Sequence, residues 1–420
     1  MSVLKEVYEH LSKIKNGEVS FQYLLNKGFK NVDSKVAFLV KDTLKSTVNR
    51  YYFLSWELDK IFKLENENAR DYLICALGQF HYVKEISDEQ LLEFLKEDLP
   101  TIDEKISVSE FFQAIKTLNN TTLSLSEKDN ENIIRKLSLN YSYPEWVCKM
   151  ISKHFGVKKI YKSIASSRKN IAITVNCNSF FTNADKLIEE YPSLFTRGVL
   201  TNNTLRYIGK EKIIDVDVFK KNYVFVEDET SQLLVNNLNL EVNDTALVIA
   251  DDRGAIALDM LMKIKDVGTI HAAASNVINY NSTLALANRF KLHSLNCFES
   301  TVDCLLTHVE AETCDKVLLV APSTQLGLVR RKPDVILTLN RDNLDSIIAE
   351  QKRQIKEAST FVRKGGVLEY AVFTYNKKES TFIVQDFLNN NPDFTLLEEN
   401  QIFAYEAPSD GVYYALIKKN

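Results

Sequence analysis

Up to about Arg135 the apolar residues recur every three to four positions. Leu39, Val40, Leu44, Val48 and Tyr52 form one stripe, and Tyr72, Leu73, Ala76, Leu77 and Phe80 another. That spacing predicts amphipathic helices, and Ser87 with Gln90, then Ser107 with Glu110, supply capping-box starts. Residues 1–135 therefore read as a helical bundle, closed by a polar loop over 120–129. Pro144 pre-sets the first turn of a further helix, with Trp146 expected as a buried anchor. The period then shortens to two. Residues 171–176 read as a strand, 183–191 as a helix, and 205–207 and 223–226 as short strands, so 136–230 becomes a linker helix plus a small α+β module. Beyond 231 strands alternate with helices: 246–250, 269–273, 316–320 and 366–374 as strands, with 410–415 in a closing hairpin. This predicts a doubly wound sheet over 231–420. The fold class is multidomain, α followed by α/β.

Composition fits a globular chain of 420 residues with 45% hydrophobic and 26% charged positions. No run of eighteen apolar residues occurs and the N-terminus lacks an apolar signal core, so the expectation is a cytoplasmic protein without a membrane span. Six scattered cysteines without a CxxC pair read as thiols, and six histidines without ligand spacing assign no metal. Net charge is -4, yet residues 144–221 carry 14 Lys and Arg against 7 Asp and Glu. That basic segment is either an electrostatic footprint for phosphates, including Lys158 and Lys159, or a solvated lysine-rich face.

The stretch 315–334, DKVLLVAPSTQLGLVRRKPD, organises the rest. Val317 to Val320 read as a buried parallel strand, and the loop after it lies where open α/β sheets bind ligands. It resembles motif IV of the RNA cytosine-C5 methyltransferases, D-A-P-C-S-G-x-G-x-x-R-R-x-P-D, with Ala321, Pro322, Gly327, Arg330, Arg331, Pro333 and Asp334 in register. Val320 stands for the Asp, Ser323 for the Cys and Gln325 for the first Gly.

Other stretches extend the resemblance over nearly the whole chain. Residues 137–146 resemble the family's Y-S-x-P-x-W linker, 227–232 its Q-D-E-A-S-Q, and 410–415 its D-G-F-F-x-A. Residues 1–135 are similar to the helical domain of the antitermination factor NusB, and 136–230 to an RNA-recognition-like module. The chain thus resembles the bacterial small-subunit ribosomal-RNA (cytosine-C5)-methyltransferase B type of the NOL/NOP/Sun family, with a C-terminal class I, Rossmann-like methyltransferase domain.

The resemblance implies S-adenosylmethionine on the loop after the first strand of that domain, where glycines admit the ligand to the backbone. Of the family's V-L-D-L-C-A-A-P-G-G-K-T, only Gly254 of the glycine pair remains. Val248 replaces the acid, Arg253 the proline, Ala255 the second glycine and Ile256 the lysine, and Ala274 takes the ribose-binding Asp position. Adjacent Asp251 and Asp252 read as solvated acids. The family's methyl transfer needs a thiolate nucleophile, an acid near the base and a second cysteine for release. Phe373 occupies the nucleophile position and Ser323 the release position. Three expectations stand. The chain is an RNA-binding pseudoenzyme without cofactor, its Arg330, Arg331 and Lys332 touching phosphate or else bridging surface acids. Alternatively it is an S-adenosylmethionine-dependent methyltransferase with an unusual site. As a third reading it is a protein–protein scaffold whose helical bundle engages transcription or ribosome-assembly factors. The expected partner is RNA of the ribosomal class, and the chain is expected to be a monomer.

Overall fold

The structure, a computed structural model, describes residues 2–27, 33–120, 132–250, 252–407 and 409–420. Of the polar loop expected over 120–129, Asn120 instead ends helix Val108–Asn120, and 121–129 lie outside the described residues, as does Asp251. The chain forms two compact units, one of residues 1–168 with 329–339, the other of 169–328 with 340–420.

The first unit is helical. Helix Glu67–Tyr82 buries nearly its whole circumference, including Tyr72, Leu73, Ala76 and Leu77, against helices Val3–Lys15 and Ser34–Ile61. The predicted stripe of Ser34–Ile61 is present: Val40, Leu44 and Val48 are fully buried, joined by Thr43 and Thr47. The Ser87–Gln90 capping box closes in both directions. Helices Ile133–Tyr141, Glu145–Phe155 and Val157–Ser166 pack on one another, the first of them also on Ser34–Ile61. The helical unit consequently runs to Arg168, beyond the boundary read at 135. Trp146 is only half-buried, contrary to expectation; Tyr143, Val147 and Cys148 hold the buried positions around it. Pro144 is the N-cap of helix Glu145–Phe155, at the helix start where the sequence placed it.

Residues 329–339 complete this unit. The Asp334 carboxylate accepts the Phe21 N–H at 3.0 Å and so holds the start of helix Phe21–Lys27. Tyr52 Oη donates to the Ile336 carbonyl at 2.9 Å, and Arg330 Nε to the Ser166 carbonyl at 3.0 Å.

The second unit contains two sheets. The smaller is antiparallel, built from β1 (Ile173–Cys177), β2 (Phe195–Arg197), β3 (Thr204–Tyr207) and β4 (Val224–Val226) in the order β2-β3-β1-β4. β2, three residues long, carried no alternation in the sequence. The larger sheet has β5 (Thr245–Ile249), β6 (Thr269–Ala274), β7 (Leu295–Glu299), β8 (Cys314–Val320), β9 (Val362–Val372), β10 (Phe394–Ile402) and β11 (Val412–Lys419). Their order is β10-β11-β9-β8-β5-β6-β7. β7, β6, β5, β8 and β9 are parallel, while β11 pairs antiparallel with β9 and β10. Strand order reverses between β5 and β8, so the ends of β5, β8 and β9 meet at the switch point where such folds bind ligands. Period-two alternation gives β9 two buried faces. Leu368, Tyr370 and Val372 enter one apolar cluster and Ala371 the other. No helix among the described residues is long and apolar enough to cross a membrane.

Candidate functional site

The three decisive positions fall together. Val248 on β5, Val320 at the end of β8 and Phe373 just beyond β9 share one apolar cluster with Ala250, Ile256, Leu318, Ala371, Val412 and Tyr414. Val248 is 3% exposed, whereas Val320 and Phe373 are half-buried against the cluster. At the ends of β5 and β6 lies a cavity of about 10 Å³, bounded by Val248, Ala250, Asp252, Ala257, Ala272, Ala273, Ala274 and Thr283. That is room for about one water, against roughly 300 Å³ or more in a ligand pocket. Among the described residues, Asp252 is the charged side chain in that lining.

The loop after β5 is turned inward on itself. Gly254 lies at φ +93 and starts helix Ala255–Lys263. A Cβ there would come within 2.6 Å of the Thr283 Cα, so the glycine serves the close approach of helix Val277–Phe290. The Asp252 carboxylate accepts the Ile256 N–H at 3.2 Å, placing an acid at the helix end that would otherwise attract an anion. Arg253 points to solvent.

The loop after β8 is tied down equally firmly. Gln325 keeps φ +54, the left-handed conformation that a glycine at this position would adopt without strain. Ser323 Oγ accepts the Gln325 N–H at 3.2 Å, which uses the hydroxyl within the turn. Gly327 donates to the Phe373 carbonyl at 3.0 Å and accepts from Gly411 N at 2.9 Å. Beneath the loop, buried Glu379 accepts Thr324 N and Thr324 Oγ1, both at 2.7 Å, Asn376 Nδ2 at 2.9 Å and Thr374 Oγ1 at 3.1 Å. Burial pushes its carboxyl up, opposed by those hydrogen bonds. Nothing in the polar run 376–380 distinguished Glu379 from a solvated acid.

The basic residues lie in the helical unit. Arg330 and Arg331 are half-buried and Lys332 is exposed. Arg330 sits against the C-terminal end of helix Val157–Ser166, the helix that carries exposed Lys158 and Lys159 near its start. About 12 Å of helix separates the two groups. Arg330 is committed in part to the Ser166 carbonyl, an intramolecular role beside the phosphate contact read from the sequence. Cys314, on the opposite end of β8, is buried and burial pushes its thiol up to about 11. Among the described residues no group of three His, Cys, Asp or Glu side chains could hold a metal ion.

Residues 235–412 match the family model described as 16S rRNA methyltransferase RsmB/F. A Bacillus subtilis (strain 168) protein named "Probable ribosomal RNA small subunit methyltransferase B" is 22% identical over 91% of this chain and 84% of its own. A Vibrio cholerae ribosomal RNA small subunit methyltransferase B is 32% identical, over 26% of this chain and 27% of its own. In structure, the chain is similar to PH0851, with a TM-score of 0.76, 17% identity and 99% coverage of both chains. It also resembles a methyltransferase homolog protein from Pyrococcus horikoshii, with a TM-score of 0.61, 15% identity, and 70% and 100% coverage. Fold, motif register and sequence relatives converge: residues 235–412 form a domain of the 16S rRNA methyltransferase RsmB/F family, and the chain as a whole is similar to proteins named ribosomal RNA small subunit methyltransferase B.

Proposed function

We propose that this protein binds RNA without methylating it. The observation that carries the reading is the single apolar cluster formed by Val248, Val320 and Phe373, with a cavity of about 10 Å³ beside it. S-adenosylmethionine, the family's cofactor, does not fit these residues. Its polar groups would face Val248, Ala273 and Ala274, and its anionic end the Asp252 carboxylate at the helix start. Burying such groups without partners is costly. Phenylalanine at 373 offers no nucleophile, and Ser323 places a hydroxyl, which does not ionise near neutral pH, where the family has a thiol.

RNA, of the ribosomal class for which the relatives are named, is supported by the basic stretch 144–221 and by Arg330 beside the helix of Lys158 and Lys159. Binding of this kind is salt-sensitive and weakly sequence-selective. The reading places the protein in the cytoplasm, without membrane attachment.

Calorimetric titration of the full chain with S-adenosylmethionine should give no heat of binding up to millimolar ligand. A micromolar Kd would overturn the proposal and restore the alternative, an enzyme with an unusual site. Phe373→Cys should likewise yield no methylated cytosine, because the thiol returns without an acid at 320 or a release group at 323. Half-buried Phe373 also packs against the cluster, so the substitution should cost about 1–2 kcal/mol in thermal unfolding. Any methyl transfer by that single variant contradicts the pseudoenzyme reading.

A further inference from the structure

Glu227 follows β4, and Asp259 lies on helix Ala255–Lys263, so one belongs to the small sheet and the other to the layer covering the large one. Each is 3% exposed. Asn176 on β1 lies beside both: its Nδ2 donates to Glu227 Oε2 at 3.0 Å, and Asp259 is near enough to feel the same side chain. Glu227 Oε1 and Asp259 Oδ2 have no hydrogen-bond partner. Two adjacent carboxylates with orphaned oxygens, sealed from water, cannot both stay ionised without a large desolvation and repulsion penalty.

The surroundings do not neutralise the pair. Asp252, from the loop before the helix, adds repulsion at Glu227. Lys263, one turn beyond Asp259, is the opposing cation, and its ammonium bonds Asn236 Oδ1 at 2.5 Å. Burial pushes the Cys177 thiol on β1 up, opposed by Arg197 of β2 and reinforced by Asp259. Glu229, two residues on from Glu227, lies 3.7 Å from Arg206 of β3 and so takes that charge for itself.

We infer that Glu227, Asp259 and Asn176 form a proton-dependent clasp between the small sheet and helix Ala255–Lys263, closed while the acid pair holds a proton and loosened when the proton leaves. Burial, then repulsion from Asp259 and Asp252, raises Glu227 well above the ordinary carboxylate range, and burial, opposed by Lys263 and Asn176, raises Asp259 to about 6. The native state therefore holds a proton that the unfolded chain has released, and stability falls as pH rises from about 4 through 6 and beyond. The two carboxyls titrate as a unit.

The test uses the full chain, Glu227→Gln and Asp259→Asn, with Tm followed from pH 5 to pH 8. Wild type should lose on the order of 5 °C more than either variant across that range, and both variants should melt above it at pH 8. Superimposable profiles would overturn the clasp. Hydrogen exchange localises the effect in the wild type alone, even if a variant fails to fold. Between pH 6 and pH 8, amides of β1 and β4, corrected for intrinsic rate, should lose at least tenfold more protection than those of β5. Equal loss in all three strands would show a global effect and refute the proposal.

Discussion

Gly327→Ala should cost the second unit at least about 3 kcal/mol and lower its Tm on the order of 10 °C. A Cβ at 327 would stand 1.9 Å from the Gly411 carbonyl oxygen, 2.8 Å from its carbon and 3.1 Å from the Phe373 carbonyl carbon. All three are backbone atoms, so no side chain can rotate away. Relief would require breaking the Gly327–Phe373 and Gly411–Gly327 hydrogen bonds, which join the loop after β8 to β9 and β11. Thermal unfolding measures the effect directly. A variant melting within about 1 °C of wild type would mean the loop is not seated as described.

Glu379→Ala should be comparably damaging, about 3–5 kcal/mol by urea unfolding. It strands three donors at once: Thr324 N, Asn376 Nδ2 and one of the Thr324 and Thr374 hydroxyls, which lie 2.8 Å apart so that one can donate to the other. Each unsatisfied buried group costs about 1–3 kcal/mol, partly recovered where water enters the gap. Glu379→Gln keeps one acceptor oxygen but turns an amide toward a cluster of donors, so it should fall between alanine and wild type. If alanine is neutral, or glutamine is worse than alanine, the carboxylate is not the knot of that network.

The same residues explain what the sequence made legible. Alternation and helical period are repeated over many positions, so β5, β8, β9 and the stripe of Ser34–Ile61 emerge from hydrophobicity alone. The motif register also located Val320 and Phe373 at two neighbouring strand ends, because the turn shape persists through Gly327 and the left-handed Gln325. Single polar residues that pair across long separations were not legible. Asp334 reaches Phe21 across 313 positions, and Asn176 reaches Glu227 across 51. A lone acid in a polar run looks solvated until the fold surrounds it. Trp146 shows the converse: a large apolar ring raises the expectation of burial, but its helix spends its inward positions on Val147, Cys148 and Ile151.

The discontinuity of the helical unit bears on how the protein is made. Residues 1–168 leave the ribosome roughly 170 positions before the stretch 329–339 that completes them. At about 5–20 residues per second, that is an interval of about 10–30 s. Throughout it the Phe21 N–H has no Asp334 to accept it, and Tyr52 Oη no Ile336 carbonyl. The nascent N-terminal helices must wait, partly unfinished, for sequence embedded in the later α/β part of the chain. A genetic truncation after residue 168, although it falls where one compact unit passes to the other, would remove that late piece along with everything else. The smallest complete helical folding unit is therefore not a contiguous gene segment.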